Sequence, residues 1–154
     1  MHSLLTVALP GTIRSNDVSS ALFNAVDYYA DFEQPDGPPG GGEWDGFVFG
    51  GRWHGSFILT TDAAERKRAG ALDLPLEGLC HEVLGCAGHP LNQTDCARLE
   101  DIDPDSLSAP AYRIGLDGRL REDFESGTEA NIRFLQWIQA LPSDTWLASI
   151  DVHR

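Results

Sequence analysis

The fold of this chain is indicated most clearly by the stretch Thr145-Trp146-Leu147-Ala148-Ser149-Ile150-Asp151-Val152-His153. Successive side chains of a β-strand point to opposite faces of the sheet, so residues two apart share a face. One set is fully apolar and the other carries polar groups. The alternation predicts a strand with one face on the core, formed by Trp146, Ala148, Ile150 and Val152. Leu147, Ser149, Asp151 and His153 would then lie on the other face.

The segments before this strand predict a hairpin and a helix. Asp117-Gly118 is a two-residue turn signal that would join a strand over residues 111–116 to a return strand over 119–121. Thr128 is placed to cap a helix that Pro142 ends. The apolar residues of this helix predict its buried stripe: Ile132, Leu135, Ile138 and Leu141, widened by Phe134 and Trp137.

The N-terminal third predicts a strand, a helix and a loop. Residues 4–9 form an apolar run that Pro10-Gly11 stops. A helix then follows Ser15, with Val18, Leu22, Ala25, Val26 and Tyr29 at helical spacing. Residues 33–42 are rich in proline and glycine and predict a mobile loop.

The segment over residues 44–60 predicts a second strand with an irregularity. As one straight strand it would place Phe47, Phe49, Trp53 and Phe57 on one face, and Val48, Arg52, His54 and Ser56 on the other. Gly50-Gly51 interrupts the alternation. The pair is typical of either a tight hairpin or a bulge, and the sequence leaves both open.

Taken in order, these elements predict an α+β fold with the β-α-β-β-α-β arrangement of ferredoxin-like sandwiches. The whole chain, residues 1–154, is interpreted as a single domain. An insertion of irregular and helical structure over residues 61–109 separates the second and third strands. In the usual ferredoxin-like order the second and fourth strands lie at opposite edges of the sheet.

Composition restricts the partners. Among 154 residues, 24 are acidic and 11 basic, which gives a net charge of −13. Such a surface repels nucleic acid and anionic lipid, and suits a cationic ligand or a basic protein partner, although acidity also serves solubility alone. No segment predicts a membrane helix. The cysteine count of 3 is odd and argues against a disulfide framework, so we expect a cytoplasmic protein.

The first candidate site follows the second strand. Arg52 beside Trp53 is suited to clamping an anion while a ring, Trp53 or Trp44, stacks on a flat group. Asp45 and His54 are candidates for proton transfer. The structural alternative makes both tryptophans core anchors and pairs Arg52 with Asp45.

A second candidate is the pair Asp151 and His153. The two side chains share a strand face, so a carboxylate and an imidazole could together bind a metal or move a proton. A polar pair near the end of a chain is also common without any function.

A third candidate is a weak Cys₃His zinc set formed by Cys80, Cys86, His89 and Cys96, with His81 nearby. There is no C-x₂-C pair, and buried thiols are the simpler interpretation. We expect no other cofactor, because the phosphate-loop, dinucleotide, zinc-protease and nucleophile-elbow signatures are missing.

Several short motifs together resemble those of small, uncharacterised proteins from phages and bacterial mobile elements. These proteins have a W-D-W-Y…G-G-R-W core, a D-G-x-W hairpin, a leucine-proline helix end and a D-x-H strand. Three positions depart from the pattern: Gly46-Phe47 replaces the aromatic pair W-Y, Leu120 stands where the family often has tryptophan, and Val152 stands where it often has cysteine. The matching pieces are Trp44-Asp45, Gly50-Gly51-Arg52-Trp53, Asp117-Gly118-Arg119-Leu120, Leu141-Pro142 and Asp151-Val152-His153. The resemblance implies a phage or prophage setting and no particular activity.

Two functions are compatible with these patterns. The first is an acidic interaction protein that blocks a basic host protein, such as a host defence or nucleic-acid-handling protein. The second is a small hydrolase or anionic-ligand-binding enzyme in which Arg52 holds the anion and His54 or His153 transfers protons, oriented by Asp45 or Asp151. The second hypothesis requires the two candidate segments to meet in space.

Overall fold

A computed structural model describes residues 1–30, 42, 44–75, 92–122 and 127–154. Over these residues the chain forms a mixed sheet, a separate two-stranded ribbon and three α-helices. The strands are β1 (His2–Leu9), β2 (Gly46–Phe49), β3 (Phe57–Ile58), β4 (Gln93–Thr94), β5 (Cys96–Arg98), β6 (Tyr112–Ile114), β7 (Leu120–Glu122) and β8 (Trp146–His153). The helices are α1 (Ser15–Asp27), α2 (Thr61–Arg68) and α3 (Thr128–Gln139).

The C-terminal strand β8 organises the main sheet, whose order is β2-β8-β1-β6-β7. One edge of β8 pairs antiparallel with β1 over its whole length, from Leu9 opposite Trp146 to His2 opposite His153. The other edge pairs with β2 towards the C-terminal end and with β5 towards the N-terminal end. β1 continues the sheet with a parallel pairing to β6, which forms a hairpin with β7.

The two faces of this sheet carry different layers. Alternating apolar side chains of β1 and β8 pack against the buried residues of α1, which are Val18, Leu22 and Val26. On the opposite face, Ala8 and Leu147 pack with Phe134 and Ile138 of α3. Further along β1 and β8 this second face becomes polar, with Thr6, Ser149 and Asp151 buried on it. The polar part of the face positions the candidate site.

The α+β class and the mixed sheet agree with the sequence, but the ferredoxin-like order is not confirmed. β2 lies beside the last strand, β8, where the expected order placed the two at opposite edges. The short Asp117-Gly118 turn, with Gly118 at φ 70°, returns β7 directly to the free edge of β6. That edge is therefore occupied, and β2 pairs instead with the open edge of β8.

The buried stripe of α3 agrees with the predicted one at Phe134 and Ile138 and differs from it elsewhere. Ala130, Phe134 and Ile138 are buried, whereas Ile132 is 50% and Leu135 37% exposed. The helix contacts the sheet only where its face is apolar, so a narrow stripe at four-residue spacing suffices. Thr128 is the first helical residue and does not cap the helix, because the capping position belongs to Gly127 at φ 110°.

The predicted insertion is partly integrated into the fold. β5 belongs to the main sheet, and β4 pairs with β3 in the small ribbon. Residues 76–91 of the insertion, and most of the loop predicted over 33–42, lie outside the described residues. None of the helices within the described ranges is both long and apolar enough to span a membrane.

Candidate functional site

The two candidate segments of the sequence meet at one end of the sheet. β2 and β8 pair with Gly46 opposite His153 and Val48 opposite Asp151. The amide of Asp45 donates to the carbonyl of His153 at 2.9 Å, and the Asp45 carboxylate lies 2.7 Å from His153 Nδ1. The expectation that opposite sheet edges would separate these segments is therefore wrong.

The glycine pair forms neither a hairpin nor a bulge. Gly50 and Gly51 both adopt left-handed backbone, at φ 69° and 54°, and lead into a 3₁₀ turn over Gly51–Trp53. A Cβ on Gly50 would lie 2.5 Å from an oxygen of Asp95, and a Cβ on Gly51 would lie 2.3 Å from the Cβ of Asp151. Only glycine fits, because two buried carboxylate side chains pack directly against this backbone.

Asp151 is a buried carboxylate with both oxygens engaged. It is 6% exposed, and its Oδ2 accepts a hydrogen bond from the backbone amide of Arg52 at 3.1 Å. Its Oδ1 lies 2.9 Å from Nδ1 of His2 on the neighbouring strand. Asp151 thus links the glycine turn to an imidazole on β1.

Asp95 forms a second buried pair on the other side of the turn. It is 5% exposed, and its carboxylate lies 2.9 Å from His54 Nδ1 while accepting from the amide of Gly55. Burial lowers the pKa of the nearby Lys67 ammonium, and the negative charge of Asp95 opposes that shift. These contacts hold the C-terminal end of the turn to Asp95, which lies between β4 and β5.

The third pair, Asp45 with His153, is open to solvent. The two side chains are 62% and 47% exposed, and the hydrogen bond from His153 lowers the pKa of the Asp45 carboxyl. The His153 ring makes an edge contact with the ring of His2, with centroids 4.8 Å apart. Two imidazoles therefore lie side by side, each with Nδ1 held by a carboxylate.

A carboxylate at Nδ1 determines what such an imidazole can do. It favours the tautomer with the proton on Nδ1, which leaves Nε2 as the basic nitrogen. Within the described residues, Nε2 of neither His2 nor His153 takes part in a hydrogen bond. The arrangement offers two oriented imidazoles, on side chains that are 36% and 47% exposed, for proton transfer or for metal binding.

The remaining predicted residues occupy different environments. Trp44 is 1% exposed and packs between Tyr29 and Tyr112 in the core, the position that the core-anchor interpretation expects. Arg52 has an exposed side chain and Trp53 a half-buried one on the 3₁₀ turn.

The acid–base partners also differ from the pairs suggested by sequence. Asp45 contacts His153, where the sequence suggested His54 or Arg52. His54 contacts Asp95, and Asp151 contacts His2 rather than His153. The hydrolase hypothesis left open which aspartate orients which histidine, and the sequence could not choose because each observed pair joins segments far apart in the chain.

The zinc set is described only at one member. Cys96 is buried in the core on the α1 side, and this burial raises the pKa of its thiol well above the ordinary range. Cys80, His81, Cys86 and His89 lie outside the described residues. Within the described ranges, no group of three or more histidine, cysteine or acidic side chains is arranged to hold a metal ion.

Sequence reasoning missed His2 and Asp95. The predicted first strand began at Leu4, whereas β1 begins at His2 and pairs it directly with His153. The available signal was the strand period, because His2 stands two residues before Leu4 and would therefore share a sheet face with it. Asp95 lies in a stretch with no periodicity, and only its contact with the turn shows its role.

Comparison with known proteins adds no relative to this picture. No protein-family model, curated protein or solved structure matches the chain. The resemblance to phage and mobile-element proteins remains a prediction.

Proposed function

We propose that this protein is a small acid–base enzyme of the hydrolase type that acts on an anionic ester. His153 with Asp45 and His2 with Asp151 are the proposed proton-transfer pairs. The exposed Arg52 on the adjoining turn is the proposed anion-binding side chain. The observation that carries the proposal is the contact of Asp45 with His153 at 2.7 Å, which joins the two candidate segments.

The paired imidazoles suit hydrolysis by general acid–base catalysis. In the proposed step, one neutral imidazole takes a proton from water while the water oxygen bonds to the phosphorus or sulfur of the ester. The bond from that atom to the leaving oxygen breaks, and the second imidazole, protonated, gives that oxygen its proton. Each carboxylate stabilises the imidazolium beside it, as in other carboxylate–histidine pairs.

The position of Arg52 supports the choice of an anionic ligand. The protein carries a net charge of −13, so an anion needs a local positive group to approach the site. The backbone amide of Arg52 is fixed to Asp151, which keeps this residue next to the histidine pair. A guanidinium forms paired hydrogen bonds with phosphate or sulfate oxygens.

The test is turnover of chromogenic anionic esters by the metal-free protein in EDTA. p-Nitrophenyl phosphate, bis(p-nitrophenyl) phosphate and p-nitrophenyl sulfate cover the three simplest classes. We expect His153→Gln and Asp45→Asn to lower kcat about 100-fold or more, the usual contribution of a positioned acid or base. Arg52→Gln should mainly raise KM.

The control variant is Arg121→Gln. Arg121 lies on β7, at the sheet edge opposite β2, and pairs with Asp117 of the preceding turn. The Arg121→Gln substitution should leave kcat and KM unchanged. Absence of turnover with all three esters, or equal rates for wild type and His153→Gln, would refute the hydrolase assignment.

The net charge favours a second candidate, an acidic interaction protein. A charge of −13 would steer a basic protein towards this surface. In the phage or prophage setting that the resemblance implies, we propose a host defence or nucleic-acid-handling protein as the blocked partner. Pull-down from host lysate at low and high salt tests it. We expect a stoichiometric complex that salt weakens, and recovery of no salt-sensitive partner contradicts it.

A further inference from the structure

His2 and His153 are direct cross-strand neighbours. They face each other in the antiparallel pairing of β1 with β8. The next pair along the two strands is Met1 with Arg154, and it is a hydrogen-bonded pair, because the amide of Arg154 donates to the carbonyl of Met1. His2 and His153 therefore form a non-hydrogen-bonded pair, the kind in which opposite side chains approach most closely.

The distance between the two rings matches that of two imidazoles on one metal ion. Zinc binds imidazole nitrogen at about 2.0–2.1 Å, and a tetrahedral angle between two such bonds places the ring centroids roughly 5 Å apart. The observed centroid separation is 4.8 Å. The rings are inclined at 60° in an edge contact and do not stack.

The outer contacts of both rings are also those of metal ligands. A metal-binding histidine nearly always donates its second ring N–H to a carboxylate, a carbonyl or water, which fixes the ring and raises its basicity. Here Nδ1 of His2 contacts Asp151 and Nδ1 of His153 contacts Asp45. The two nearby carboxylates add negative charge that favours a cation.

We propose that His2 and His153 bind one divalent transition-metal ion, with zinc as the best match, through their Nε2 atoms. Solvent completes the coordination, because the described residues supply no third ligand. Asp45 and Asp151 act as positioning residues that hold the two ligands. The site is distinct from the cysteine-containing set predicted from sequence.

This site uses the same nitrogens as the proposed acid–base chemistry. An Nε2 bound to zinc cannot carry a proton, so the bound ion closes that route. The metal site does not depend on the proposed function, and binding is measurable without any substrate. Loss of activity on adding zinc would be an additional consequence for an active enzyme.

The test is isothermal titration calorimetry of ZnCl₂ into the full chain without added tag residues. The protein carries Cys80→Ser and Cys86→Ser, which removes thiol ligands outside the described residues. We expect one zinc per chain. His2→Asn and His153→Asn should each weaken binding more than about 100-fold, and Asp45→Asn about 10- to 100-fold, the range for outer-contact residues of metal sites.

The matched control is His54→Asn. His54 also has a carboxylate at Nδ1, so its substitution removes a similar histidine–aspartate pair while leaving the proposed ligands in place. It should retain zinc binding, with circular dichroism verifying the fold of each variant. The proposal would be overturned if the Cys80→Ser, Cys86→Ser protein bound no zinc. It would also be overturned if His2→Asn and His153→Asn bound zinc as tightly as that protein does.

A second probe identifies the donor atoms. Co²⁺ bound to the wild-type chain, which keeps its natural cysteines, should show d–d absorption. It should lack the intense charge-transfer bands that thiolate ligands produce. The d–d absorption should disappear in His153→Asn. A d–d spectrum that is unchanged in His153→Asn would place the ion on other ligands and would contradict the histidine assignment.

Discussion

Two carboxylate–imidazole pairs on either side of the glycine turn contain the same chemical groups in different environments. Asp95 contacts His54 at 2.9 Å, with side-chain exposures of 5% and 24%. Asp45 contacts His153 at 2.7 Å, with exposures of 62% and 47%. The bond lengths are similar, so burial is the main difference between the two regions.

Burial separates a structural role from a chemical one. Asp95 also accepts from the Gly55 amide, so removing its charge leaves a buried donor without a partner, which is costly. An exposed pair is screened by solvent and contributes little to stability, while its imidazole stays accessible. Asp151 with His2 combines a buried carboxylate and a partly exposed ring, and it connects the two regions.

The largest expected loss of stability comes from adding a methyl group to the glycine turn between the two pairs. Gly51→Ala should lower the free energy of unfolding by about 2–5 kcal/mol, because left-handed backbone is strained for alanine and the new methyl overlaps Asp151. Gly70→Ala is the matched control. Gly70 has φ 69° with nothing within 4 Å, so only the backbone cost of about 1–2 kcal/mol applies. Equal losses in urea titrations would show that the turn does not pack on Asp151.

An intermediate effect separates the two pairs directly. Asp95→Asn should lower the free energy of unfolding by about 1–3 kcal/mol, since the amide cannot accept from both His54 and Gly55. Asp45→Asn should lower it much less, because that pair is exposed. Chemical denaturation of both variants at neutral pH measures the difference. A larger loss for Asp45→Asn would reverse the assigned roles.

The smallest effect is a pH dependence at the exposed pair. The hydrogen bond from His153 lowers the pKa of Asp45 below its ordinary value of 3.8 in the folded protein. A lowered folded pKa gives stability that is fully present above the ordinary value and is lost as the pH falls through the lowered one. The stability difference between wild type and Asp45→Asn should thus shrink between about pH 5 and pH 2. A difference that grows on acidification would contradict this sign.

Much of the fold could be predicted because it depends on local patterns. The alternation of Trp146–His153 correctly predicts a strand, and its apolar set lies on the core face packed by α1. Val18, Leu22 and Val26 give the buried face of α1. For α3 the pattern predicts the helix but only part of its stripe, because apolar residues surround the helix and the sheet surface selects which of them are buried.

The candidate site could be predicted only in part. Asp45, Arg52, His54, Asp151 and His153 were identified as polar groups in distinctive motifs, but their partners were not. Strand pairing decides the partners, and the neighbour of β8 is chosen by which sheet edge remains open. His2 and Asp95 become part of the site only through that pairing.

The sequence by itself determined the α+β class, the positions of the main strands and helices, and the need for an unusual backbone at Gly50-Gly51. These follow from side-chain periodicity and from the conformational freedom of glycine, which act over a few residues. Only the tertiary structure decided that β2 lies beside β8, that two buried carboxylates pack against the glycines, and that His2 meets His153. Those features depend on contacts between segments distant in the chain, for which the local pattern carries no physical signal.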